Sequence, residues 1–178
     1  MIEIIALEDW HRPEWLPLWK GYQRFYEVDI DDGTTAETWR RLMDPAEPMF
    51  VLGALRDGVL VGIVHFIFHR STWTTGDYAY LQDLFMAPDA RGAGVGRALI
   101  AAVRDRARAV GASRVYWLTR EDNATAIALC EKVALRTGFI QYRVGLPVGQ
   151  GVRANADSGP AWSRTPAIRD RRSTPARS

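Results

Sequence analysis

The stretch "LQDLFMAPDARGAGVGRALI", residues 81–100, decides how the chain is read. Its first residues continue "DYAYLQDLFMA" (77–87), an apolar-rich run that predicts a strand. Its last residues start "GVGRALIAAVRDRARAVG" (94–111), a helix with Val95, Ala98, Leu99, Ala102, Val103 and Val110 on one face and Gly111 closing it. Between them lies "RGAGVGR" (91–97). Gly92, Gly94 and Gly96 remove side chains, so backbone N–H groups can close on a bound group at a helix N-terminus. Arg91 and Arg97 bracket that cradle with positive charge, which suits phosphates. A nucleoside triphosphatase loop would end Gly-Lys-Ser/Thr, whereas this one ends Gly96-Arg97-Ala98. A dinucleotide fold prefers G-x-G-x-x-G in an early β-α-β unit, and this loop follows a hairpin-rich half. A glycine-rich turn without a ligand remains the alternative at this point.

Outward from the loop, "IEIIAL" (2–7) reads as a strand. Trp15, Leu18, Trp19, Tyr22, Phe25 and Tyr26, at steps of three and four, predict an amphipathic helix whose start Pro13 and Pro17 bend or delay. "TAETWRRLMD" (35–44) predicts a second helix with Thr34 or Thr35 as its cap. Residues 49–69 hold two strand-like runs joined at Asp57-Gly58, a strong hairpin signal. "RVYWLT" (114–119) predicts a strand, 123–137 a helix and "FIQYRVGL" (139–146) a closing strand. The order is β-α-α-β-β-β-α-β-α-β, an α/β fold with a mixed sheet and helices on both faces. Residues 1–146 read as one domain. The tail 147–178 has four of the nine prolines and no periodicity, and reads as disordered.

Composition narrows the partners. The chain has 178 residues, 47% apolar and 25% charged, the profile of a soluble globular protein without a membrane span. "MIEIIALEDW" lacks a basic secretory n-region, and the single cysteine permits no internal disulfide, so the expected home is the cytoplasm. The tail carries six arginines and two aspartates, while residues 1–146 carry 17 Lys+Arg against 19 Asp+Glu. The folded part is therefore mildly acidic, which argues against nucleic acid and favours cationic substrates.

Residues 81–100, followed by "NATAIALCEKVALRTGF" (123–139), resemble the GCN5-related N-acetyltransferase (GNAT) superfamily. The segments "WLPLWKGYQRFYEV", "HFIFHRSTW" and "VYWLT" resemble its yeast-type histone and polyamine acetyltransferase subgroup. The resemblance covers residues 2–146 and implies acetyl-CoA as cosubstrate, a primary amine as acceptor, a homodimer and no metal. It implies that Arg91, Gly92, Ala93, Gly94, Val95, Gly96 and Arg97 hold the pyrophosphate. It also implies that Leu84, Phe85 and Met86 pair with the pantetheine arm through their backbone, and that Asn123 contacts that arm. Asn123 is equally an ordinary helix cap.

Amine acetylation needs a deprotonated amine, a polarised carbonyl and a departing thiolate. Relatives often carry Leu-Glu-Asp where this chain has Leu81-Gln82-Asp83, so the matching position cannot act as a base. Asp83 is retained, but alternation points it to the opposite face unless the strand bulges there. It reads either as a proton acceptor or as a structural partner. The Leu84 amide is the candidate polariser of the carbonyl, with direct attack in a ternary complex. Cys130 lies two turns after Asn123, about 10 Å along the axis, where relatives usually have a proton-donating tyrosine. Inert buried packing is its first reading, a proton donor its second and an acyl-cysteine its third. His65 and His69 share one strand face and read as structural or substrate-lining; Tyr80, Tyr116 and Tyr142 read first as core or dimer surface and second as substitute proton donors. Tyr26, Glu27, Asp29, Asp31 and Asp32 read either as a solvated turn after an aromatic core helix or as an aromatic and acidic rim suited to an amine, and the resemblance favours the second. A catalytically weakened acetyl-CoA-binding module and an interaction protein working through the tail are the other classes.

Overall fold

In the computed structural model, which describes residues 1–146, the chain runs β1 (Ile2–Ala6), α1 (Arg12–Phe25), α2 (Asp32–Met43), β2 (Met49–Arg56), β3 (Val59–His69), β4 (Tyr78–Met86), α3 (Val95–Ala109), β5 (Arg114–Tyr116) and α4 (Ala124–Val133). Single 3-10 turns lie at Asp9–His11 and Pro88–Ala90. The five strands form one sheet in sequential order, antiparallel through β4, with β4 and β5 parallel. The tail 147–178 lies outside the described residues.

The hairpin forms as its residues require. Asp57 and Gly58 both hold positive φ, 53° and 81°, the geometry of a two-residue turn that matches strand twist. Helices cover both faces. On one, Leu99 and Val103 of α3, both fully buried, pack on Val64, Phe66 and Leu81. On the other, Trp15 and Trp19 of α1 and Trp39 of α2 pack on Ile63 and Phe85. β3 lies between the two layers, which is why its sequence is a nearly continuous apolar run rather than an alternating one.

Several boundaries differ from expectation. Pro13 sits in the first turn of α1, and Pro17 lies inside the helix without ending it. In the same helix Gly21 seats against Phe85: a Cβ there would stand 2.7 Å from the ring, so only glycine lets α1 approach β4 this closely. α2 is capped by Asp31, whose carboxylate accepts from the Thr34 amide at 2.8 Å, rather than by Thr34 or Thr35. α3 ends at Ala109, leaving Val110 65% exposed and off the apolar stripe, and Gly111 closes the helix at φ 73°. β5 keeps only three of its six expected residues, and α4 ends at Val133.

The closing strand expected over 139–146 is not formed. Phe139, Ile140, Tyr142, Val144 and Leu146 are all exposed, and no ladder includes them. Alternation marks a segment able to pair, but a strand also needs a neighbouring edge. Met1–Thr137 make one compact unit, and the chain from Gly138 belongs to a second. Among the described residues no helix is long and apolar enough to cross a membrane.

Candidate active site

The site begins where the sheet opens. β4 pairs with β5 only through Tyr78, Ala79 and Tyr80, so Leu81–Met86 present a free edge on that side. Ala87 donates its amide to Val61 of β3 at 2.9 Å. Alternation then turns the backbone groups of Leu84 and Met86 away from β3, into the opening. Phe85 is placed differently: its backbone faces β3 and its ring lies under Gly21.

A bulge in β4 settles the orientation of Asp83. His65 is opposite Asp83 and Phe66 is opposite Leu81, leaving Gln82 without a partner. The extra residue reverses alternation, so Asp83 is buried toward α1 while Gln82 is exposed. Asp83 Oδ2 lies 3.0 Å from His65 Nδ1, and Trp15 Nε1 donates to His65 Nε2 at 2.9 Å. The residues are 9%, 4% and 0% exposed. An indole N–H only donates, so Nε2 is an acceptor and Nδ1 carries the proton given to Asp83. Tyr22 of α1 is half-buried beside Asp83. Burial, and then the Asp83 charge, push the Tyr22 phenol far above its ordinary range, keeping it protonated.

Across the opening stand Tyr26 and α4. The Asn123 side chain hydrogen-bonds the Tyr26 hydroxyl, while its Oδ1 accepts from the Ala126 amide at 3.1 Å. It is thus a helix cap that also reaches the site. Burial raises the Tyr26 phenol, and the Asn123 bond opposes that rise. Cys130 is not buried packing: it is half-buried, and its Sγ accepts from Trp117 Nε1 at 3.0 Å.

The glycine loop divides its labour. Gly92 and Gly94 hold φ of 79° and 85°, and a Cβ on either would meet open space. Gly94 precedes the first turn of α3, whose leading amides, from Val95 to Arg97, lack helical acceptors. Gly96 is buried, and a Cβ there would lie 3.1 Å from Leu129 and 3.3 Å from Met86, so its bareness serves packing. Arg97 is exposed, and the Arg91 guanidinium lies 5.5 Å over the Phe25 ring.

The acidic rim is partly committed elsewhere. Asp31 caps α2, and the Thr34 hydroxyl and amide hold its carboxyl below the usual range. Asp32 pairs with Lys20 at 3.3 Å. Asp29 is exposed. Glu27 follows α1 at φ 54°, a left-handed conformation that costs a non-glycine residue about 1–3 kcal/mol. His69 points toward β5 and meets the Tyr116 hydroxyl at 2.9 Å, with Tyr80 stacked on Tyr116. Tyr142 is 86% exposed. Among the described residues no three His, Cys, Asp or Glu side chains cluster as metal donors.

Sequence reading missed Trp15 and Tyr22 as polar neighbours, and His65 as the residue opposite Asp83. The spacing of 15, 19, 22 and 26 already placed one stripe of α1 over the sheet. What it lacked was the register of β3 against β4.

The model of the Acetyltransferase (GNAT) family matches residues 4–134. The D-amino-acid N-acetyltransferase HPA3 of Saccharomyces cerevisiae is 34% identical over 146 residues, covering 80% of this chain and 89% of that protein. The L-ornithine N5-acetyltransferase NATA1 of Arabidopsis thaliana is 29% identical over 111 residues, 62% of this chain and 48% of that protein. Among solved structures, a ribosomal-protein-alanine N-acetyltransferase from Brucella melitensis superimposes with a TM-score of 0.70 at 25% identity, covering 82% of this chain and 99% of that one. An aminoglycoside N-acetyltransferase in complex with CoA gives a TM-score of 0.71 at 18% identity, covering 82% and 95%, a likeness of fold.

Proposed function

The chain belongs to the acetyltransferase (GNAT) family and is an N-acetyltransferase; we propose that it moves the acetyl group of acetyl-CoA to a primary amine by direct attack in a ternary complex. One observation carries the reading. A loop of open left-handed glycines at a helix N-terminus leads onto a free strand edge, and a buried carboxylate stands on the far side of that edge.

The residues fit the cosubstrate. Gly92 and Gly94 leave room for phosphate oxygens, and the amides from Gly92 to Arg97 are placed to bind them. Leu84 and Met86 offer strand-type hydrogen bonds to an amide-bearing arm, and Asn123 supports that arm from α4. Acetyl-CoA supplies the acetyl thioester. The Leu84 N–H polarises its carbonyl, Asp83 takes the ammonium proton, and positioning supplies much of the acceleration.

The acceptor enters past Tyr26 and Glu27, with Asp29, Asp31 and Asp32 giving the approach a negative field. HPA3 and NATA1 are named for amines borne by amino acids, which supports trying small amino acids ahead of polyamines and protein lysines. The same reading makes the protein cytosolic and homodimeric.

Incubation with acetyl-CoA and a panel of amino acids, diamines, polyamines and a lysine peptide, with mass detection of product, tests the reading. At least one small amine is expected to gain an acetyl group. Tight acetyl-CoA binding with no acetylated product would instead favour a weakened binding module, a reading that the changes at Gln82 and Cys130 keep alive.

Cys130→Tyr tests the second proton. A phenol at this position can give its proton to the departing sulfur, so kcat is expected to rise several-fold, within the ~10²–10⁴ that such catalysis contributes. An unchanged kcat means that another donor already serves, with Tyr26, across from Asn123, the first to examine.

A further inference from the structure

Three buried side chains form one hydrogen-bonded line from the core toward the opening, and half-buried Tyr22 stands beside its end. Trp15 donates to His65 Nε2 at 2.9 Å, His65 Nδ1 meets Asp83 at 3.0 Å, and the Tyr22 phenol faces the same carboxylate. An aromatic wall packs it in: Trp15 lies 4.8 Å from Trp39, and Trp19 meets the His65 ring edge-on at 5.1 Å. A hydrophobic core does not require such a line. Leucine at 65 and phenylalanine at 15 would fill similar space without burying polar groups. Its direction is fixed at one end, because the indole can only donate.

We propose that Trp15 locks His65 as its neutral Nδ1–H tautomer, so that His65 holds Asp83 as an anion, and that Tyr22 relays the amine proton to that anion. The proposal rests on the acetyltransferase reading above, in which Asp83 is the proton acceptor. Trp15 and His65 are positioning residues; Tyr22 is the group that meets substrate.

The proton balance closes. The ammonium gives one proton to Tyr22 Oη as the phenol passes its own to Asp83, leaving a neutral amine, a neutral phenol and a protonated carboxyl. The amine nitrogen then bonds to the carbonyl carbon, the carbon–sulfur bond breaks, and the nitrogen's second proton goes to the departing thiolate. Asp83 returns its proton through Tyr22 to solvent when product leaves.

The lock matters because an imidazolium beside Asp83 would form an ion pair and weaken the carboxylate as a base. With the Nε2 lone pair engaged by an indole N–H, a proton there would meet a donor face to face. The ionisable groups around His65 are Asp83 on β4 and Tyr22 on α1, with Tyr26 and Tyr80 close enough to Tyr22 to act on its charge. β2 presents Val51 opposite His65 and α2 presents Trp39; Asp9 reaches this cluster through the Trp39 indole at 2.9 Å.

Nitrogen-detected NMR of the imidazoles in the full chain reads the tautomer without turnover. The His65 ring proton is expected on Nδ1, with Nε2 bare. An Nε2–H tautomer in the wild type overturns the lock. In Trp15→Phe, Nε2 is freed: the expected result is a mixture of the two tautomers and a lower kcat with little change in acetyl-CoA KM. A tautomer mixture with an unchanged kcat overturns the link to Asp83.

Trp15 is large and fully buried, so a second pair of variants guards against simple unfolding. His65→Asn keeps an N–H near the Nδ1 position and cannot ionise, whereas His65→Leu keeps only bulk. The asparagine variant is expected to recover most of the kcat that the leucine variant loses; equal losses overturn the proposal. Tyr22→Phe is expected to lower kcat by about 10²-fold with little change in acetyl-CoA KM, and an unchanged kcat removes the relay. If no amine is acetylated by the wild type, the acetyltransferase reading fails while the tautomer measurement still stands or falls alone.

Discussion

Asp83→Asn is expected to lower kcat by about 10²–10⁴-fold, the usual contribution of a general base, while leaving the fold intact. Asparagine matches aspartate in shape, and its carbonyl can still accept from His65 Nδ1, so the buried bond largely survives. What is lost is the anion that receives the amine proton. The deficit should therefore depend on pH in a defined direction. An alkylamine near the lysine value of about 10.4 is almost wholly protonated at neutral pH and becomes its own free base as pH rises. The ratio of wild-type to variant kcat should shrink from neutral pH toward pH 10. Acetyl-CoA KM should move little, since Asp83 is separated from the glycine loop by the rest of β4. A ratio near one at neutral pH would return Asp83 to a structural role.

That experiment turns on a residue whose placement the sequence left open for a physical reason. A hairpin closed by Asp57-Gly58 fixes the pairing of β2 on β3 next to the turn, Arg56 on Val59 and Leu55 on Leu60, but a bulge at Val61 already shifts the rest of that ladder by one residue. β3 and β4 are joined by residues 70–77, long enough to allow several registers and a bulge. The side on which Asp83 lies therefore depends on Gln82 being the unpaired residue, a fact of pairing rather than of pattern. The same distinction explains the other departures. Periodicity located α1 and α3 because each buries a stripe against the sheet. It promised a strand at 139–146 because alternation is visible in one segment, whereas an accepting edge is not. Asp31 showed as acidity before it showed as a helix cap, since both uses draw on the same short carboxylate. The substitution at Cys130 was legible, but its Trp117 hydrogen bond was not, because the indole comes from the unpaired continuation of β5.

The glycine loop was legible in its residue types, and its internal division supplies the second large effect. Gly94→Val places a β-branched residue at φ 85°, a conformation that costs about 1–3 kcal/mol for side chains of this kind. No protein atom within 4 Å opposes the new Cβ, so the fold loses little beyond that strain. The branched side chain instead stands over the amides that lead into α3, where phosphate oxygens must approach. Acetyl-CoA affinity is expected to fall about 100-fold, equivalent to about 2.7 kcal/mol, against a modest drop in melting temperature. Gly96→Val should behave in the opposite sense. Its Cβ meets the side-chain ends of Leu129 and Met86 at 3.1 and 3.3 Å, so those side chains must give way and stability should suffer first. Titration calorimetry with acetyl-CoA alongside thermal unfolding of both variants separates the two roles. Wild-type affinity in Gly94→Val would show that the phosphates lie elsewhere. Within one G-x-G-x-G run, then, conformational freedom and close packing are assigned to different glycines, and only the first kind should answer to the cosubstrate.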